Sequence, residues 1–138
     1  MGISNPDVGY NGISPSDDIL ALEPTQRGTS STTWVPLYRG LWLADITTGS
    51  IMRVKADMHV NNAKIGSMVW RINDEYPTGL WFDSTVNNAW ETKTDDVEVY
   101  WKRNSTITIY AKVQTGDTVY LKNISICGIQ SPSVLWVA

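Results

Sequence analysis

The chain has 138 residues, enough for one domain that buries its own core without disulfides. Hydrophobic residues make up 42% and charged residues 18%, a globular composition that excludes a disordered chain. The net charge of -3 speaks against nucleic acid as the main partner, because phosphate binding needs a basic face.

Residues 1–32 show little periodic hydrophobicity and hold Pro6, Pro15, Pro24, Gly9, Gly12 and Gly28. Only "DDILALEP" offers an apolar patch, made of Ile19, Leu20 and Leu22. This stretch reads as an extended polar N-terminal arm that either stays a disordered tail or orders on a neighbouring subunit, since alone it cannot offset the cost of ordering its backbone. The opening "MGISNPDVGYNGISPSDD" lacks the basic start and apolar stretch of a secretion signal, so none is expected. No run of about 18 apolar residues predicts a membrane span.

From Thr33 the hydrophobic period is two, which predicts strands across a second unit, residues 33–138. Trp34–Leu43 is the first. In "IMRVKADMHV" the residues Met52, Val54, Ala56, Met58 and Val60 share one face; Arg53, Lys55, Asp57 and His59 share the other. "VNNAK" is the expected turn to the strand Lys64–Ile72. Short strands follow at Gly79–Phe82 and Asn88–Lys93, and "DVEVYW" puts Val97, Val99 and Trp101 on one face. "STITIYAKV" points Ile107, Ile109, Ala111 and Val113 inward. "QTGDT" is a hairpin turn in which Gly116 is free to take positive φ. In "TVYLKNISICGI" the apolar phase changes between Leu121 and Ile124, which predicts a β-bulge near Lys122–Asn123. Val134–Val137 is the last strand. Many short strands without a long helical pattern predict an all-β antiparallel β-sandwich, jelly-roll-like, behind the arm.

Little in the chain resembles catalytic machinery. Cys127, the single cysteine, sits in the apolar run "ISICGI" and reads as a buried inert thiol. His59, the single histidine, has no second histidine or cysteine cluster to make a metal site or triad. The acids Asp95, Asp96 and Glu98 read as solvated turn residues, and no calcium-loop spacing occurs. No catalytic residue, metal site or cofactor is therefore expected.

The seven tryptophans are the unusual feature. Trp34, Trp42, Trp70, Trp101 and Trp136 read as core or subunit interface. Trp34 and Trp42 share a face only if the strand is regular, which Pro36 calls into question. Trp81 and Trp90 lie in "YPTGLWFDSTVNNAWE", among turn residues. They read first as core or interface, and second as a sugar platform with Tyr76, Asp83 and Asn88.

"ITIYAKVQTGDTVYLKNISI" resembles the late hairpin of jelly-roll domains, as in TNF/C1q-like trimers, carbohydrate-binding modules and virion fibre heads. "LYRGLWLADITTGSIMRVKA", with "SPSDDILALEPTQRGTSS" before it, resembles small capsid-associated proteins of tailed phages. That resemblance implies a non-enzymatic virion structural protein, a capsid decoration or fibre protein assembled in a host cytoplasm. Its partners would be a capsid or other virion protein and further copies of itself, with a trimer favoured. Ile19, Leu20, Leu22, Trp34 and Trp136 are the candidate assembly residues. The alternative is a carbohydrate-binding module or lectin-like adhesin, with a glycan as partner; a small glycosidase is a distant third.

Overall fold

The computed structural model describes residues 19–43, 51–75, 80–127 and 134–137. Tyr76 and the first 18 residues of the expected arm lie outside them.

The described residues form ten strands: β1 (Ile19–Glu23), β2 (Arg27–Thr29), β3 (Val35–Trp42), β4 (Ile51–Val60), β5 (Gly66–Ile72), β6 (Trp81–Asp83), β7 (Ala89–Glu98), β8 (Thr106–Val113), β9 (Val119–Cys127) and β10 (Val134–Trp136). The first sheet runs β1-β9-β4-β7, with β2 also on β9; the second runs β10-β3-β8-β5-β6. Every pairing between these strands is antiparallel. From β2 onward the chain changes sheet at each connection except β5 to β6. That interleaving of two sheets is a jelly-roll arrangement.

The alternating strands behave as their patterns predict. Met52, Val54, Ala56, Met58 and Val60 of β4 are buried, and so are Ile107, Ile109, Ala111 and Val113 of β8. Together with residues such as Met68, Trp70 and Ile72 of β5 they make one core between the sheets. Trp42 and Trp101 meet edge to face inside it, ring centroids 5.4 Å apart. Cys127 is buried.

The change of phase in β9 is a bulge. Lys55 faces Ser125 and Asp57 faces Lys122, so β9 carries one residue more than β4 there. Asn123 takes it up with a left-handed φ of 52°. Its side-chain amide donates to Asp57 Oδ2 at 2.9 Å. Val119, Leu121, Ile124 and Ile126 all reach the core as a result.

Three features differ from the sequence reading. The segments expected at Asn88–Lys93 and "DVEVYW" are largely one strand, β7, paired residue for residue with β4 from Ala89 to Glu98. β3 is irregular: Pro36 faces Tyr110 and Tyr38 faces Ile109, so a bulge at Leu37 puts Trp34 and Trp42 out of phase. Within the stretch read as an arm, β1 and β2 are strands of the first sheet. Pro24 splits them into pieces too short to show a period, and β9 supplies their hydrogen bonds. The buried Tyr38 hydroxyl lies 2.6 Å from Thr25 O and 2.8 Å from Leu121 O, tying the link between them to the core. Burial pushes its pKa up to about 12, although Arg27 nearby pulls the other way.

Candidate functional site

β5 is buried on both faces. Met68, Trp70 and Ile72 point to the core, yet Ser67 and Val69 on the outer face are 6% and 1% exposed. The neighbours that register around them belong to β6 and β8. Ser67 lies between Asp83 and Lys112, and Val69 between Trp81 and Tyr110. These larger side chains build a surface over the small ones.

Trp81 is its centre. The indole N–H donates to Asp83 Oδ1 at 2.9 Å, and the Ser67 hydroxyl donates to the same oxygen at 2.6 Å. Trp34, displaced outward by the β3 bulge, meets Trp81 edge to face at 4.9 Å and 87°. The Lys112 ammonium sits 4.7 Å from the Trp34 ring centroid and 5.5 Å from that of Trp81. Both distances suit a cation–π contact. Held from three sides, Trp81 still leaves 49% of its surface exposed.

Beside it opens a cleft of about 650 Å³, lined among others by Trp81, Asp83, Lys112, Lys64, Gln114 and Thr115. That is the size range of small-ligand sites. Gln114 spends its side-chain carbonyl on the Ile65 N–H, which leaves its NH₂ to face a ligand. A second hollow of about 370 Å³ continues past the shared Thr32 and Thr115 to Asn61, Asn62 and Ser30. Its wall is fixed by Asp117, whose carboxylate accepts from the backbone N–H groups of Asn61, Asn62 and Thr118. Burial pushes the Asp117 carboxyl up, but the three N–H groups outweigh it and hold the pKa below the usual range. Gly116 turns the adjacent hairpin with φ 97°.

Of the sequence-predicted platform, the structure brings Trp81 and Asp83 together. Trp90 stands on the other sheet, in β7, and Asn88 in the turn that leads into it, because the chain crosses over between β6 and β7. Asn88 is a turn residue with φ 54°, and its N–H donates to Val60 O. Trp90, 38% exposed, ends an aromatic row across the first sheet: His59 at 5.2 Å, then Tyr120 at 6.2 Å from His59. Lys122 covers the Trp90 ring at 4.1 Å. Glu91 braces the loop before β7, accepting from Thr85 N, Thr85 Oγ1 and Val86 N and pairing with Lys93 at 2.6 Å.

Three of the candidate assembly residues have described side chains: Leu22, Trp34 and Trp136. Leu22 is exposed on β1, Trp136 packs on the chain's own core, and Trp34 is the partner of Trp81. Ile19 and Leu20 lie on β1, with side chains outside the described set. Sequence reasoning did not name Ser67, Lys64, Lys112 and Gln114 as site residues, and it gave Trp34 to an assembly interface and not to the surroundings of Trp81. The one available signal was the outward phase of Lys112. Among the described residues no three His, Cys, Asp or Glu side chains gather to hold a metal.

No protein-family model matches the chain, and no curated protein matches it in sequence. Among solved structures it is similar to the C-terminal domain of EclA, a sugar-binding protein. The identity is 11% and the TM-score 0.44, over 90% of this chain and 82% of that one. A likeness of that degree does not bear on function.

Proposed function

We propose that the chain is a carbohydrate-binding module or lectin-like adhesin that works without catalysis, through the cleft at Trp81. The observation that carries this reading is a half-exposed indole fixed by Asp83, Trp34 and Lys112 in the lining of a cleft of mixed polar and apolar character. A sugar ring has an apolar C–H face and a rim of hydroxyls, and the site offers a partner for each. The C–H face lies on the Trp81 indole, whose ring face is electron-rich. Covering about 80 Å² of apolar surface there contributes about 2 kcal/mol. Asp83 keeps one carboxylate oxygen to accept hydroxyl protons, and charged acceptors make the stronger hydrogen bonds. Lys112 and the Gln114 amide donate to ring and hydroxyl oxygens. The second hollow, with its threonine and asparagine lining, extends the site to an oligosaccharide.

Because Trp81 is already hydrogen-bonded and packed, little side-chain freedom is lost on binding. The test is a glycan array probed with the full chain and with Trp81→Ala, folding checked by circular dichroism. The account expects glycan binding by the first and its loss, by about thirtyfold or more, in the second. Equal binding by a folded Trp81→Ala variant would overturn it. Of the residues the virion-protein reading would use, Leu22, Trp34 and Trp136 lie on different parts of the fold: β1, the approach to β3, and β10.

A further inference from the structure

We infer that the sugar taken by this cleft carries an anionic group, a carboxylate or a sulfate, and that Lys112 and Lys64 receive it. The inference rests on the carbohydrate reading and narrows it. Three charged side chains line the cleft: Lys64, Lys112 and Asp83. The local balance is therefore positive, in a chain whose net charge is -3.

The acid among them is already engaged. Asp83 Oδ1 takes two donors, the Trp81 indole N–H and the Ser67 hydroxyl. The two cations are not engaged in the same way. Other cations in the fold hold a carboxylate: Arg53 pairs with Asp96 at 2.8 Å and Lys93 with Glu91 at 2.6 Å. Among the described residues neither Lys64 nor Lys112 lies within ion-pair distance of an acid. Lys112 is positioned by two indole rings. Ring faces hold an ammonium in place without neutralising it.

A ligand that fills the cleft beside Trp81 also comes against Lys112, because both side chains line it. A neutral sugar would strip water from that charge and return only dipoles. An anionic group returns a counter-charge and a charge-assisted hydrogen bond, so the desolvation that stacking imposes favours the acidic ligand. Lys64, which also lines the cleft, adds a second donor.

The experiment uses an array carrying neutral, uronate-containing, sialylated and sulfated glycans, probed with the full chain, Trp81→Ala, Lys112→Gln, Lys112→Arg and Lys64→Gln. All variants are first shown to be folded by circular dichroism. The bound glycans should be acidic, with the carboxylate and sulfate arms separating the two anion types. Binding should weaken between about 50 mM and about 500 mM salt, as screening requires. Lys112→Gln should lower affinity for the best glycan about tenfold or more, and Lys112→Arg should keep most of it. Neutral glycans bound as well as acidic ones, with loss in Trp81→Ala, would overturn this inference and leave the carbohydrate reading intact. Acidic binding untouched by both lysine-to-glutamine changes would overturn the assignment to these residues. Binding of no glycan at all would overturn both readings.

Discussion

Trp34 and Trp81 meet edge to face, ring centroids 4.9 Å apart, although one precedes β3 and the other opens β6 at the far side of the same sheet. The contact spans the two strands between them, β8 and β5, and closes over Val69. It braces an indole that is otherwise half exposed.

Trp34 is therefore a support for the site. Trp34→Ala should cost about 1–2 kcal/mol in urea unfolding, from the lost ring pair and lost apolar cover. It should also weaken glycan binding about tenfold, because Trp81 and Lys112 both lose their backing. Trp34→Phe retains an aromatic edge and should recover most of the affinity. Unchanged binding in Trp34→Ala would show that Trp81 is held in place without Trp34.

The bulge in β9 depends on a residue that tolerates the left-handed region. Asn123 does, at φ 52°, and it also reaches Asp57. Asn123→Ala should destabilise by about 1–2 kcal/mol, since an ordinary side chain is disfavoured there. Asn123→Gly relieves the backbone and loses only an exposed hydrogen bond, so its cost should be clearly smaller. Denaturant midpoints of the three proteins decide this; equal losses would place the whole effect in the hydrogen bond.

Acid should unfold the protein partly through Glu91 and Asp117. Burial raises the Glu91 carboxyl, but Lys93, the Thr85 N–H and hydroxyl, and the Val86 N–H together bring it down from 4.5 to about 2. A folded-state pKa below the unfolded value means stabilisation that is complete above about pH 5 and lost as pH falls towards 2. Asp117 adds to the slope with the same sign. Thermal melts from pH 7 to pH 3 should fall for the parent chain and fall less steeply for Glu91→Gln, which starts from a lower melting temperature. Parallel curves would remove Glu91 from the account.

Gly40 lets the edge strand β10 lie close to β3. A Cβ there would come 2.7 Å from Val134 Cγ1 and 2.9 Å from the Trp136 ring. Gly40→Ala should cost about 1–3 kcal/mol by overpacking or release β10 from the sheet. Hydrogen exchange at Val134–Trp136 distinguishes the two, and unchanged stability with unchanged exchange would contradict both.

Much of the fold was legible because it is written in local period. β4 and β8 alternate without interruption, and the phase slip between Leu121 and Ile124 marked its own bulge. β1 and β2 were not legible as strands, because five and three residues around Pro24 hold too little period to register. The site was legible only in part, for a different reason. Trp81 and Asp83 are two residues apart on one strand, so their shared face follows from the pleat. Trp90 is as close in sequence to Trp81 as many true partners are, yet the crossing between sheets sends it to the opposite face. Trp34, Ser67 and Lys112 reach Trp81 through strand order and register, which no local pattern encodes.

The most direct test is a ¹H–¹⁵N spectrum of the tryptophan indole groups, recorded while adding the glycan that binds best on the array. Seven tryptophans give seven signals, assigned by single Trp-to-Phe changes. The Trp81 and Trp34 signals should move and saturate together, while those of the buried Trp42, Trp70 and Trp101 stay in place. Movement of Trp90 with Trp81 and Trp34 unmoved would contradict it and place the binding face on the opposite sheet.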